Sequence, residues 1–186
     1  ENGSTIDLIS IGIVAEDGRE FYAQNSECKF DNANDFVWRN VFPHLGHFHM
    51  AGHRQCNERS HCTGEPHRAR CHKDGCPWMF HREIGKAVGE FCHVPTHGKP
   101  EFWAYYADYD WVAFCQLFGT MIDMPEEFPF YCRDIKQLCD MVGNPTLPKM
   151  ESGEHSAIKD ARWNKIAYEW LCKNHPAGAF HHPNDH

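Results

Sequence analysis

The chain has 186 residues, of which 41% are hydrophobic and 24% are charged, and its formal net charge is −8. This length supports one domain with a real core, while no apolar run approaches the roughly 18 residues that a membrane-spanning helix needs. The acidic balance argues against a protein that coats nucleic acid nonspecifically. We therefore expect a soluble protein without a membrane partner.

Cysteine is abundant in this chain, with ten residues. Ten cysteines can form a disulfide scaffold, but a chain of this length with an α/β pattern more often carries reduced or metal-bound thiols. No signal peptide is visible, and the chain begins with glutamate, which indicates that upstream residues were removed or left out. We expect a cytoplasmic protein.

The first elements in chain order form a β-hairpin. Apolar residues on both faces of the segment 6–13 predict a strand that is covered on both sides. A Glu-Asp-Gly turn at residues 16–18 leads to a second strand over residues 19–24. Asn32 or Asn34 then caps a short helix that ends near Phe42.

The segment 45–80 has a different composition, poor in aliphatic residues and dense in histidine, cysteine and arginine. From His44 to Arg82 there are six Lys+Arg, three acids and eight histidines, so this part carries +3 and the remainder −11. A basic appendage on an acidic body is compatible with an RNA substrate. We interpret the segment as a small module inserted into the domain.

Four cysteines of the insert are candidate zinc ligands: Cys56, Cys62, Cys71 and Cys76. Thiolates and imidazoles form four-coordinate Zn²⁺ sites, and a histidine from this segment could replace one cysteine. The alternatives are a loop with scattered inert cysteines, or two disulfides. Because the segment cannot build a core of its own, metal binding would have to contribute its folding energy, and we predict one structural zinc per chain.

A buried strand that runs directly into a helix organises the second half. The aromatic run over residues 101–110 predicts the strand, and apolar residues at helical spacing predict a helix that ends at Gly119. Asp110 lies at the junction. Ligands bind at the carboxyl ends of strands in open α/β sheets, so this carboxylate could hold a metal or substrate, although an N-cap or a surface aspartate is the simpler alternative.

The remaining pattern is helical with short connections. A helix over residues 82–91 precedes the aromatic run, and a short strand at 130–132 leads to a helix over 133–142. The last long helix begins near Asp160, and its predicted buried stripe consists of Trp163, Ile166, Ala167, Trp170 and Leu171. Residues 181–186 are predicted to form a mobile tail.

His155 and Asp160 lie in HSAIKD, just before and just inside the last helix, where both could face one cleft. Together with Asp110 in ADYDW, they resemble the second and third motifs of the DEDDh family of 3′–5′ exonucleases. The runs TIDLISIGIVAEDGRE, from Thr5, and DWVAFCQLFG, from Asp110, are similar to its ribonuclease AS branch. The resemblance covers residues 1–44 and 81–173.

This resemblance implies a ribonuclease-H-like mixed α/β sheet flanked by helices, formed by residues 1–44 and 81–180. It implies a metal-dependent 3′–5′ exoribonuclease that acts on single-stranded, adenylate-containing RNA, with a homodimer as one arrangement. Asp110 and Asp160 would bind two Mg²⁺ or Mn²⁺ ions, and His155 would be the general base, unless it only caps the helix. Most of the aromatic residues near this site are expected in the core by default: Trp103, Tyr105, Tyr106, Tyr109 and Trp111. Tyr109 and Trp111 are the exceptions, expected to stack on bases.

The sequence departs from the family pattern at one point. The family begins with a strand that carries Asp-x-Glu, and no such pair is present; Glu1 and Asp7 have neither its spacing nor its position. Loss of that strand would leave its neighbours as open edges, which favours a pair located upstream of Glu1. The alternative is a catalytically inactive nucleic-acid-binding or scaffold protein, or a structural subunit that docks through the zinc module.

Overall fold

The computed structural model describes residues 6–45, 77–150 and 155–175. Its strands are β1 (Ser10–Val14), β2 (Glu20–Asn25), β3 (Trp78–Met79), β4 (Trp103–Ala104) and β5 (Arg133–Asp134). Its α-helices are α1 (Asp35–Asn40), α2 (His81–Phe91), α3 (Val94–His97), α4 (Asp108–Gln116), α5 (Ile135–Met141) and α6 (Ala157–Asn174). The described chain is a mixed α/β protein in which small sheets are flanked by helices.

The predicted hairpin is confirmed. β1 and β2 pair antiparallel, from Ser10 opposite Gln24 to Val14 opposite Glu20, and Gly18 supplies the positive φ of 87° that the turn requires. β3 adds to β2 in parallel orientation, which makes the sheet order β1-β2-β3. The described strands form this sheet and a separate parallel pair, β4-β5, so a single ribonuclease-H-like sheet stays a prediction.

One face of the hairpin packs against α2 and α4. Ala23 of β2 is fully buried there with Ile84 and Val88, which lie on the apolar side of α2. Phe114 brings α4 into the same cluster through an aromatic group that also includes Phe102, with 4.8 Å between the ring centroids. This cluster forms the larger part of the core, so the helix predicted over residues 82–91 is confirmed as a packing element.

The opposite face of the hairpin is covered by α6, at a point where β1 carries no side chain. A Cβ atom built on Gly12 would lie 2.4 Å from the carbonyl oxygen of Ala157 and 2.6 Å from the Cα atom of Ile158. Further along α6, Arg162 binds both carboxylate oxygens of Glu20 on β2, at 2.7 and 2.6 Å. The first turns of α6 are therefore held on the hairpin by one close backbone contact and one ion pair.

The second half of α6 packs on α5 and β4. Ile135, Leu138 and Cys139 of α5 are buried against Ala167 and Leu171 of α6. Two aromatic contacts connect this cluster to the β4 region: Trp103 lies 4.5 Å from Tyr168, and Tyr105 lies edge-on to Trp163 at 5.2 Å. Helix α6 thus contacts both sheets of the described structure.

Two of the predicted element boundaries are wrong in the second half of the chain. The strand expected over 101–110 contains only Trp103–Ala104, and α4 already begins at Asp108. The strand expected over 130–132 lies instead at Arg133–Asp134, and α5 begins after it. One carboxylate, described below, accepts backbone N–H groups at both places where a strand ends and a helix begins.

The predictions for helix caps, helix ends and side-chain burial are confirmed in part. Asn34 is the N-cap of α1, and its side chain accepts the Val37 N–H at 3.0 Å, as one of the two predicted caps. Gly119 has a φ of 116°, but α4 ends before it, at Gln116 with Leu117 as the C-cap, so the predicted end at Gly119 is wrong. Ile166 was predicted in the buried stripe of α6 but is 52% exposed. The buried face of the helix is formed by Ala167 and Leu171 instead.

The predicted zinc ligands Cys56, Cys62, Cys71 and Cys76 lie outside the described residues, as does the predicted tail 181–186. The described helices include none that combines the length and apolarity required to cross a bilayer.

We predict that Gly12→Ala destabilises the protein by about 1–3 kcal/mol, because the new methyl group would meet backbone atoms of α6 that cannot move independently. Urea denaturation measures this change. Gly89 of α2 is the matched control, since a Cβ there has no neighbour within 4 Å. Gly89→Ala should stabilise the helix by roughly 0.5–1 kcal/mol. Equal stability of Gly12→Ala and the parent would show that α6 is not held at this contact.

Candidate active site

Asp110 lies in the first turn of α4 rather than at the end of a strand. The chain leaves β4 at Ala104, turns through Tyr105 and Tyr106, and enters the helix at Asp108. Tyr106 adopts the left-handed conformation, with a φ of 57°, which ends the strand and turns the chain into the helix. The carboxylate of Asp110 is therefore presented from a helix that starts directly beside the two-stranded sheet.

The side chain of Asp134 fixes this turn. One carboxylate oxygen accepts the N–H of Ala107 at 3.0 Å, and the other accepts the N–H of Tyr106 at 3.3 Å and that of Lys136 at 2.6 Å. Asp134 is also the N-cap of α5. One carboxylate thus satisfies backbone donors at the start of two helices, which explains both boundary corrections.

Asp134 is a site residue that was not predicted from the sequence. Its local signal was available, because aspartate followed by a helical stretch is a typical N-cap. Its second function, as acceptor for the turn before α4, depends on the parallel pairing of β4 with β5 and has no local signal.

Asp110 titrates unusually for an aspartate. Burial of the carboxyl group raises its pKa to about 6, and the negative charges of Asp160 and then Asp134 contribute in the same direction. Asp110 as a residue remains exposed. A carboxyl group can lose part of its hydration to nearby protein atoms while one side stays open to water, so an ion from solvent can still reach it.

The structure brings Asp110 and Asp160 into electrostatic contact, and they come from different helices. Asp160 lies in the first turn of α6, as predicted, and its N–H bonds to the carbonyl of Ser156 at 2.9 Å. The negative charge of Asp160 contributes to the raised pKa of Asp110, and a cation would stabilise such a pair of carboxylates. This pairing of two predicted residues is the main feature of the site.

His155 lies in the turn that precedes α6 and is exposed. It has a positive φ of 70°, and its ring lies edge-on to Phe36 of α1, with 5.0 Å between centroids. His155 therefore lies just before the start of α6, and Asp160 lies in the first turn of the same helix. Its assignment as a general base stays a prediction.

The aromatic residues around Asp110 divide into exposed and packed groups. Tyr109, a predicted base contact, is 57% exposed, and Tyr106, expected in the core, is 62% exposed. Trp111, the other predicted base contact, is half-buried: its ring stacks on Phe114 at 5.0 Å and its Nε1 donates to the Phe130 carbonyl at 3.4 Å. The exposed surface therefore belongs to the two tyrosines, while Trp111 extends the core.

Cys132 borders the same site. Burial raises the pKa of its thiol to about 12, with further contributions from the carboxylates of Asp110 and Asp134. Its Sγ donates to the carbonyl of Arg133 at 3.5 Å. The thiol is therefore protonated at neutral pH and contributes no negative charge to the carboxylate pair.

The donor set at this site consists of carboxylate oxygens, which are the ligands that Mg²⁺ and Mn²⁺ prefer. Asp110 and Asp160 fit such an ion, because its positive charge would stabilise a carboxylate whose pKa is raised first by burial and then by the charge of Asp160. Asp134 is committed to three backbone donors. Within residues 6–45, 77–150 and 155–175, no group of three or more potential ligands is assembled into a metal site.

The fold and site define a mixed α/β protein with a carboxylate pair suited to a hard divalent cation and exposed tyrosines beside it. Comparison of the whole chain identifies its family. Residues 1–171 match the Rv2179c-like 3′-5′ exoribonuclease domain, and the chain belongs to that family.

Two similar proteins come from strains of Mycobacterium tuberculosis. The 3′-5′ exoribonuclease Rv2179c of strain ATCC 25618 / H37Rv is 33% identical over 178 residues, which cover 96% of this chain and 91% of the relative. The 3′-5′ exoribonuclease MT2234.1 of strain CDC 1551 / Oshkosh has the same identity and coverage. The similarity thus extends across nearly the full length of both proteins.

We predict that Asp110→Asn raises the unfolding temperature near neutral pH in the absence of divalent cations. Because the folded-state pKa of Asp110 is raised from 3.8 to about 6, its stabilising contribution is complete below the lower value and is lost as pH rises through the higher one. The increase in unfolding temperature caused by Asp110→Asn should therefore become larger between about pH 4 and pH 7. Thermal unfolding followed by circular dichroism measures it.

Asp140→Asn is the control for that experiment. The Lys136 ammonium lowers the pKa of the Asp140 carboxyl group, with a further contribution from Asn144. Its contribution to stability is therefore present at neutral pH and lost in acid, which is the opposite dependence. An Asp110→Asn protein that is less stable than the parent at neutral pH would contradict the proposed repulsion between the carboxylates.

Proposed function

We propose that this protein is a metal-dependent 3′–5′ exoribonuclease that removes nucleotides from single-stranded RNA. One observation supports this most strongly: in a chain of the exoribonuclease family, Asp110 and Asp160 interact closely enough for one to raise the pKa of the other. Repelling carboxylates that remain accessible to solvent destabilise a fold unless they bind a cation. A bound cation would offset the repulsion between them.

Asp110 and Asp160 would hold two Mg²⁺ or Mn²⁺ ions, and the ions would supply charge neutralisation at the phosphate and a lower pKa for the attacking water. His155 would accept the proton of that water on an imidazole nitrogen, since the reference pKa of histidine lies near neutrality. Its exposed position before α6 is consistent with this role. Tyr109, which is exposed beside Asp110, would contact the bases of the RNA, with Trp111 supporting it.

A two-metal site requires more carboxylates than this pair, and the family pattern supplies them as Asp-x-Glu on a strand. Among the described strands, β1 and β4 each pair along one edge, and α6 contacts both of them. A further strand paired with these two edges would lie under α6, next to Asp160. We propose that the missing carboxylates are carried on such a strand, which would also join the two small sheets.

Digestion of a 5′-labelled oligoadenylate with Mg²⁺ or Mn²⁺ tests the proposed activity. The parent protein should produce a ladder that shortens from the 3′ end, and Asp160→Asn should lose it. His155→Ala should lose turnover but keep RNA binding, because removal of a proton acceptor does not remove a substrate contact. Oligouridylate measured in parallel tests the proposed adenylate preference.

Asp140→Asn is the matched control here, since its carboxylate is exposed in an ion pair with Lys136 and should leave the ladder unchanged. If the parent binds the RNA without shortening it, the exonuclease proposal is wrong. If His155→Ala retains full turnover, the histidine has no role as the base.

The second candidate is an inactive protein that binds RNA without hydrolysing it. It is favoured by the absence, within the described part of the chain, of a group of three potential metal ligands. Unchanged RNA length together with tight, salt-dependent binding would support it, because salt dependence reports phosphate contacts.

We also propose that the insert binds one structural zinc through Cys56, Cys62, Cys71 and Cys76. The six described cysteines are free thiols, which is consistent with a reducing compartment such as the cytosol, where unpaired cysteines remain available to metals. The surplus of histidine and arginine in the insert would extend the RNA-binding surface or hold a partner.

Metal analysis of protein purified without chelator should find about one zinc per chain, since a single four-ligand site is proposed. A Cys56→Ser, Cys62→Ser double variant should lose it. Cys172→Ser on α6 is the control and should retain it, because Cys172 is a free thiol in the described fold. Parent protein that contains no zinc would refute the module.

A further inference from the structure

Tyr106 has a conformation that is unfavourable for a tyrosine. Its φ of 57° places it in the left-handed region, which residues with a Cβ atom adopt at a cost that glycine avoids. Such residues persist only where their surroundings determine the backbone, and they occur frequently at binding sites. A glycine at this turn would give the same backbone path with less strain, so the tyrosine side chain needs a separate explanation.

Packing does not provide that explanation. Tyr106 is 62% exposed, and its ring makes an edge contact with Tyr105, with 4.8 Å between centroids. Tyr105, in contrast, lies half-buried against Trp163 of α6. The two adjacent tyrosines therefore have different roles: one packs into the fold, and the other projects into solvent.

The turn holds Tyr106 next to the carboxylate pair. Asp134 accepts the N–H groups of Tyr106 and Ala107, and the same carboxylate contributes to the raised pKa of Asp110. Ala107 in turn accepts the N–H of Trp111 at 2.8 Å, so the turn continues directly into the helical turn that carries Asp110. The backbone of Tyr106 is thus held by hydrogen bonds four residues before Asp110, and its exposed ring extends from this fixed position.

We propose that Tyr106 is a nucleobase-binding residue, whose ring stacks on a base at the 3′ end of the RNA while the attached phosphate lies at the cation that Asp110 and Asp160 would hold. This inference rests on the proposed exoribonuclease function. An exposed aromatic face can stack on any base, whereas recognition by hydrogen bonds would select one. Tyr106 therefore contributes affinity rather than sequence preference.

Binding of a 5′-fluorescein oligoadenylate tests this role. It is measured by anisotropy with Ca²⁺ in place of Mg²⁺, so that a hard cation can bind the carboxylate pair without supporting rapid hydrolysis. Tyr106→Phe should bind like the parent, because it keeps the ring. Tyr106→Leu and Tyr106→Gly should weaken binding by about 5-fold to 100-fold, the range expected for loss of one stacked base. The same RNA with an abasic 3′-terminal nucleotide should bind equally to all four proteins.

Asn144→Gly is the matched control for backbone strain. Asn144 also has a positive φ, of 55°, and lies just beyond the far end of α5 from Asp134. Tyr106→Gly should unfold at or above the temperature of the parent and yet lose RNA affinity. Asn144→Gly also removes the hydrogen bond that Lys136 donates to the Asn144 side chain at 2.7 Å, and it should keep RNA affinity. Weaker binding in a protein of undiminished stability cannot arise from unfolding.

The proposal is overturned if Tyr106→Leu binds the oligoadenylate like the parent, or if it loses the same affinity for the abasic RNA. These results differ from failure of the function itself. The function fails if the parent does not shorten RNA. A parent that binds RNA without shortening it still allows the Tyr106 comparison, whereas a parent that does not bind RNA overturns this inference together with the function.

Discussion

The close contact between α6 and β1 at Gly12 determines the geometry on which the rest of the site depends. The backbone of Ala157 and Ile158 occupies the space where any other residue on β1 would place its Cβ atom. Asp160 follows within the same first turns of α6, so its position is set by this contact. The ion pair between Arg162 and Glu20 adds a second connection to the hairpin, although a solvent-exposed pair contributes little stability by itself. Shape complementarity at the glycine is therefore the more important constraint.

A second constraint brings Asp110 to the same place from another part of the chain. The Asp134 carboxylate satisfies backbone donors at the starts of α4 and α5, and this arrangement holds the left-handed turn at Tyr106. The consequence is electrostatic: Asp110 becomes difficult to ionise because it is partly desolvated and faces negative charge. The fold thus accepts an unfavourable interaction at its surface, which is common where a protein binds a cation or a charged substrate. The chain belongs to a 3′-5′ exoribonuclease family, and the proposed cation site would bring that chemistry to the carboxylate pair.

Local patterns were sufficient for much of the fold. The hairpin, α2 and the start of α6 could be predicted because turn residues and apolar periodicity act over a few positions. The strand over 101–110 could not, since an aromatic run favours a strand locally while Asp134, a distant residue, imposes a helix start at Asp108. For the same reason Tyr106 was expected in the core. The order of the sequence motifs predicted that Asp110 and Asp160 belong to one site. The close contact at Gly12 could not be predicted, because it depends on packing that no local pattern encodes.

The most direct test is the binding of Mn²⁺, measured by electron paramagnetic resonance, to the parent protein and to its Asp110→Asn, Asp160→Asn and Asp140→Asn variants. If Asp110 and Asp160 hold a shared cation, each of the first two substitutions should weaken binding by about tenfold or more, since each removes one charged oxygen ligand. Asp140→Asn should bind like the parent, because its carboxylate is paired with Lys136. Equal Mn²⁺ affinity in all four proteins would contradict a metal site at this pair.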